Sequence, residues 1–183
     1  MMLVPFVLLL SAATAWSQSA CDVERAVGIE LGNTGPVPND KMSASSEYNR
    51  HHGASEGRLN NYKGKGLTDG VGAWCAKKTG NVTRYLEIDL GSPRQLSMIG
   101  TQGRNTTNNQ FVSSYSVRYS SSGRIFSTLQ GKKFPGNSDK NTVVWNALRG
   151  PGGGPLVAQY IRIYPLEFYA NICMRVELKE CAG

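Results

Sequence analysis

The chain has only two histidines, and they are adjacent, in Tyr48-Asn49-Arg50-His51-His52-Gly53. Metal ligation draws on several ligands that converge in space, which neighbours in sequence do not supply by themselves. The pair therefore reads as exposed imidazoles that gain charge at mildly acidic pH. The four cysteines are Cys21, Cys75, Cys173 and Cys181, and only the last two lie near each other. A structural zinc site needs closely spaced thiolates, so zinc is not the expected use of them. Asp69, in Leu67-Thr68-Asp69-Gly70, is a thin calcium candidate, since a hard cation wants several oxygen ligands. Glu87 and Asp89 share one face of a strand pattern, and nothing else marks a glycosidase pair. The chain has no Gly-x-Ser-x-Gly elbow and no His-Glu-x-x-His. Gly64-Lys65-Gly66 and Gly70-Val71-Gly72 lack the rest of a phosphate-binding fingerprint. The chemistry on offer is that of binding rather than catalysis, with no cofactor required.

Charge points the same way. The formal net charge is +7, and between Arg50 and Lys140 there are 14 Lys/Arg against 5 Asp/Glu. An opening apolar run, Leu3 to Leu10, followed by Ala13-Thr14-Ala15, reads as a secretory signal over residues 1–17. The sequons Asn81-Val82-Thr83 and Asn105-Thr106-Thr107 agree with a secreted, glycosylated chain. In an extracellular setting a basic region favours anionic glycans or lipid headgroups over nucleic acid. After an export signal the four cysteines meet an oxidising compartment, and they allow three pairings.

The elements that must position these groups are short strands. Leu86, Ile88 and Leu90 alternate with Glu87 and Asp89. Tyr115-Ser116-Val117-Arg118-Tyr119 and Tyr160-Ile161-Arg162-Ile163-Tyr164 do likewise, and Met174-Arg175-Val176-Glu177-Leu178 reads as another half-buried strand. Period-two runs separated by Gly, Asn and Ser clusters predict an all-β antiparallel sandwich or barrel, with a loop at Gly150 to Pro155. The polar stretch between Met42 and Trp74 is long for a loop in a compact domain, which marks it as functional.

In order, these segments resemble the discoidin, or coagulation factor V/VIII C-type, domains. The resemblance rests on Met42-Ser43-Ala44-Ser45-Ser46, Leu86 to Gly91, Ile99-Gly100-Thr101-Gln102-Gly103-Arg104, Tyr115 to Ser120 with Ser122-Gly123, Phe134 to Asp139, Tyr160 to Pro165 and Ile172 to Cys181. Tyr85 stands where the family usually has Trp, and Ser122 where it often has Asp. The resemblance implies one domain over residues 21–183, an eight-stranded jelly-roll sandwich. It also implies a bridge from first to last cysteine, Cys21–Cys181, which leaves Cys75–Cys173 as the remaining expected pair.

The same resemblance implies a ligand surface of three loops at the end opposite the termini. These map onto Tyr48 to Ala54, Asn60 to Gly72, and Arg104 to Phe111. Their candidate contacts are Tyr48, Asn49, Arg50, His51, His52, Tyr62, Lys63, Lys65, Arg104 and Phe111. Members of the family that bind phosphatidylserine carry bulky apolar residues at the first tip, where this chain has Asn49-Arg50-His51-His52. Polar tips are costly to bury in hydrocarbon, whereas they suit a sugar, with tyrosine faces for stacking. The expected function is lectin-like recognition of cell-surface or matrix glycans by a secreted adhesion module. The alternatives are an anionic membrane surface, or a matrix protein that assembles with itself. A weak sugar site gains from multivalency, so a homo-oligomer fits. If the basic rim contributes, Arg50→Ala or Lys63→Ala weakens binding to a sulfated glycan more at low salt than at high salt, read by titration at two ionic strengths.

Overall fold

The computed structural model describes residues 21, 23–30, 35–62, 70–80, 83–106, 109–129, 131 and 133–182. The leader region, residues 1–17, lies outside them, as do Lys63, Lys65, Asp69 and Asn81.

The described residues form ten strands: β1 Glu24–Ala26, β2 Met42–Ala44, β3 Trp74–Cys75, β4 Leu86–Gln102, β5 Phe111–Ser120, β6 Ser127–Thr128, β7 Phe134–Pro135, β8 Val144–Ala147, β9 Leu156–Tyr169 and β10 Cys173–Cys181. All pairings between them are antiparallel, in the order β1-β10-β4-β9-β5-β6, with β2 and β8 on β4, β3 on β10 and β7 on β5. The fold is the expected all-β discoidin-type sandwich. The count exceeds eight because short pairings such as β3, β6 and β7 are strands in their own right.

β4 is far longer than the alternating run that announces it. Its first part pairs with β2, its second with β10 and β8, and β9 runs alongside both as far as Leu96. A register shift separates the two between Asp89 and Arg94, where Gly91 takes φ +76°. Only glycine adopts that conformation freely, so it carries the bulge that lets one strand serve two sets of partners.

The alternation buries what it should. Leu86, Ile88, Leu90, Val117, Ile161 and Ile163 join Trp74, Leu96, Ile99 and Tyr115 in one core. Trp74 also needs a partner for its indole N–H, and donates it to the Ser46 carbonyl at 3.0 Å.

β10 departs from its reading as a half-buried strand. Met174, Val176 and Leu178 face the core, but Arg175 and Glu177 are buried as well. Arg175 donates to the carbonyls of Gly103 (2.7 Å), Asn61 (2.6 Å) and Lys140 (2.8 Å). Glu177 accepts from the N–H groups of Ile29 and Glu30 at 3.1 and 3.0 Å. The face that would meet water is covered by the loops and the N-terminal segment, whose orphan backbone groups these charges satisfy. Arg58, also fully buried, does the same for the Ile29 and Val37 carbonyls and donates as well to the Asn39 side-chain oxygen.

Both disulfides end on β10. Cys21–Cys181 ties the N-terminal segment to its last residue, and Cys75–Cys173 joins directly opposed residues of β3 and β10, with Cα atoms 4.1 Å apart. Eight residues of strand separate the two, roughly 26 Å.

Arg175→Met keeps the bulk but strands three buried carbonyls. It should cost roughly 3–5 kcal/mol in urea denaturation of the oxidised protein, with the far-ultraviolet spectrum still that of a β-sandwich.

Candidate functional site

The first loop is not a floppy tip. After Tyr48 the chain forms two 3-10 turns, Arg50–His52 and Ala54–Glu56. Asn49 caps the first of them: its Oδ1 accepts from the His51 N–H at 3.0 Å and lies 2.7 Å from His52 Nδ1. Glu47 holds the start of the second through the Ala54 N–H at 2.8 Å. Asparagine caps this way because its short side chain folds back onto the next donors.

This geometry separates the two histidines. His51 stays at the surface, where Arg50 Nε approaches its Nε2 at 3.1 Å. His52 is turned inward and is only 7% exposed, so the expectation of an exposed pair fails for it. The cause is the cap itself, which fixes the ring beneath Tyr48 with centroids 5.1 Å apart in an edge-on arrangement. Burial, helped by the charge of Arg104 and by His51, pushes His52 down to about 4. It therefore stays neutral at endosomal pH instead of adding charge.

The third loop closes on itself through Arg104 and Gln110. The Arg104 N–H donates to the Gln110 carbonyl at 2.8 Å, and Arg104 Nη1 donates to Gln110 Oε1 at 2.7 Å. Gly103 beside it must be glycine, since a Cβ there would sit 2.8 Å from both Lys140 Cα and Phe111 Cβ. Burial lowers Arg104 from its usual range, and its Nε is buried with no hydrogen-bond partner among the described residues.

Between these two loops lies a cleft of ≈ 300 Å³. Tyr48, His52, Arg104, Gln110 and Asn171 line it, with Ala76 and the Cys75–Cys173 bridge. The structure thus brings together Tyr48, His52 and Arg104 of the expected contacts, with Asn49 behind His52. Arg50 is exposed beside His51 and does not line the cleft, and Phe111 instead stacks on Tyr169, centroids 5.3 Å apart. Tyr62 is exposed at the near end of the second loop. Asn105 is exposed next to Arg104.

Two contributors escape the sequence reading. Gln110 was passed over within the third loop, and Asn171 comes from a fourth, the turn between β9 and β10. That turn carries Ala170 at φ +57° and is closed by Asn171 N–H donating to the Tyr169 carbonyl at 2.7 Å. Its signal was the Ala170-Asn171 break between two alternating runs. Before it Leu166, Phe168 and Tyr169 are 50%, 42% and 58% exposed at the end of β9.

A sandwich with loops gathered at one end around a small polar cleft is a binding-domain architecture, and the sequence comparisons give its class. Residues 41–178 match the F5/8 type C domain, and the chain belongs to that family. Domains of this type bind carbohydrate or phospholipid. Among its relatives, lactadherin of Sus scrofa is 36% identical over 159 residues, covering 79% of this chain and 36% of lactadherin. Retinoschisin of Takifugu rubripes is 34% identical over 173 residues, covering 88% of this chain and 56% of retinoschisin. The structure of discoidin II from Dictyostelium discoideum superposes with a TM-score of 0.66 at 26% identity, over 78% of this chain and 55% of that one. The chain thus spans less than two thirds of each.

A depressed histidine has a definite stability signature. The neutral form of His52 is favoured in the fold, so its contribution is complete above the unfolded value of about 6.5 and is lost as pH falls from there towards 4. Urea midpoints of the native protein should fall across that window by more than those of His52→Gln. The difference isolates His52 from Glu56 and Glu177, which burial pushes upward and which act in the opposite sense.

Proposed function

We propose that the chain is a secreted, non-catalytic module that recognises carbohydrate through the cleft between its first, third and fourth loops. The observation that carries this reading is the Arg104 guanidinium, held in place by Gln110, lining one cleft with a neutral His52 and an exposed tyrosine face. The guanidinium has more N–H donors than its bond to Gln110 uses, and those facing the cleft can donate to a ligand hydroxyl oxygen. With its Nδ1 proton given to Asn49, the neutral His52 ring keeps Nε2 as an acceptor. Asn171 adds an amide that can donate and accept. The Tyr48 ring, 58% exposed, offers an apolar face to the C–H side of a sugar. Donor, acceptor and ring within ≈ 300 Å³ suit a terminal sugar, at the small end of ordinary ligand sites.

Export is supported by the opening apolar segment and by two disulfides, which persist in oxidising compartments. Among the described residues no helix is long and apolar enough to cross a membrane. A glycan on exposed Asn105 would stand at the rim of this cleft and favour ligands that approach from the first loop.

A second reading, an anionic membrane surface, has one observation of its own. Leu166 and Phe168, two residues apart on β9, are both exposed, with Lys78 5.8 Å over the Phe168 ring. Apolar side chains under a cation are what an interfacial contact with acidic lipid uses.

A glycan array run with the protein enzymatically deglycosylated should give hits whose affinity drops about tenfold, ~1.4 kcal/mol, in Tyr48→Ala and in Arg104→Gln. Unchanged affinity in both variants rejects the cleft. Flotation with phosphatidylserine vesicles that depends on Phe168, without any glycan hit, selects the membrane reading.

A further inference from the structure

A second cleft, of ≈ 470 Å³, opens at the other end of β5. Tyr119, Ser127, Thr128, Leu129, Arg149, Gly150 and Pro151 line it. Tyr119 is eight residues along β5 from Phe111, which flanks the first cleft, so roughly 26 Å of strand separate the two.

The walls are held from both sides. β6 pairs with β5 through Ser127↔Tyr119 and Thr128↔Arg118, and the Leu129 N–H donates to the Val117 carbonyl at 3.0 Å. That bond seats Leu129, 4% exposed, as an apolar floor. Opposite, the glycine-rich turn closes with Gly150 N–H to the Gly154 carbonyl and Gly153 N–H to the Gly150 carbonyl, both 2.9 Å, and a bridge between Arg149 and Pro155 fixes its base. The Ser127 and Thr128 residues are exposed, as is Arg149.

No carboxylate lines this cleft, and Arg149 has no ion-pair partner among the described residues. The positive charge extends inward along the sheet. Arg118, the register partner of Thr128, stands directly across from Arg162 on β9. Like charges at opposed positions repel. Glu87 neutralises only Arg162, at 2.5 Å, while the Arg118 guanidinium lies 4.7 Å over the Tyr164 ring with no carboxylate. Arg118 follows the opposite face of β5 from Tyr119, so Arg149 is the guanidinium that the cleft itself offers to an anion from outside the chain.

From these features we infer that the Tyr119–Thr128–Arg149 cleft is a second binding site, for a saccharide unit that carries a carboxylate or a sulfate. An aromatic face, two hydroxyls, a planar guanidinium and a short apolar floor are the groups that such a unit engages through its ring, its hydroxyls and its acid together. A phosphate or free carboxylate would use only the arginine. The assignment stands on this cleft's own residues and does not need the first cleft to bind sugar. With both sites filled, one domain joins two glycans from opposite ends.

The test is a titration of the oxidised, ¹⁵N-labelled protein, followed by amide shifts, with 3′-sialyllactose and a chondroitin sulfate tetrasaccharide as the carboxylate and sulfate probes and lactose as the neutral control. The expected result is saturable shifts at Tyr119, Ser127, Thr128 and Gly150 with at least one acidic probe, weakened about tenfold in Arg149→Gln and reduced by salt. Arg149 is exposed, so the variant keeps its fold, and its unshifted core amides verify that. Four results overturn the assignment: no shifts there with either acidic probe at millimolar concentration, equal shifts with lactose, unchanged affinity in Arg149→Gln, or shifts confined to Tyr48, His52, Arg104 and Asn171, which would give the acid to the first cleft.

Discussion

One buried guanidinium organises the loop end of this domain. Among the described residues Arg175 has no carboxylate partner; its three nitrogens donate to the carbonyls of Asn61, Gly103 and Lys140. Those three residues start the second loop, precede the third, and belong to the turn that supports it. A cation removed from water is tolerable only when such dipoles surround it, and burial holds Arg175 down to about 10. The dependence runs both ways: without the three carbonyls the charge could not be buried, and without the charge three loop segments lose their common anchor. Along the same face of β10, Cys173 sits before Arg175 and Glu177 after it, so one strand fastens the loops by a covalent bond, a cation and an anion in turn.

The first cleft inherits its chemistry from that anchoring. Gly103, fixed by Arg175, places Arg104 against Gln110, and the Cys75–Cys173 bridge supplies the floor. Asn49 then presents His52 as a neutral ring beside a desolvated arginine. A charged imidazole could not share this space with Arg104 at little cost, so the site is polar without being strongly ionic. The flank around Arg149 and Arg118 has the opposite character, with cations exposed and no carboxylate facing them.

Much of the fold was legible because strand alternation is a local signal. Leu86-Ile88-Leu90 and Ile161-Ile163 declare their buried faces, and the ordered motifs around them declare the family. The inward face of β10 was not legible, because Arg175 and Glu177 look like solvent-facing residues until the segments that cover them are placed. Of the site, Tyr48, His52 and Arg104 were within reach of sequence, but the inward turn of His52 depends on the Asn49 cap and on packing under Tyr48. Asn171 was out of reach for a different reason. It belongs to a short turn, and its value comes only from lying across from the first loop in space. Charge counting likewise marks the middle of the chain as basic without separating Arg162, which Glu87 neutralises, from Arg118, which lies over the Tyr164 ring with no carboxylate among the described residues.

The bridge between Cys21 and Cys181 has a mechanical meaning. Tension applied to the chain before Cys21 and after Cys181 enters and leaves through a single covalent link. The 160-residue loop that it closes, with the whole sandwich and both clefts, lies outside the loaded path. A pull along the polypeptide that would shear apart an unbridged β-sandwich therefore passes this one by, and its clefts keep their shape under strain.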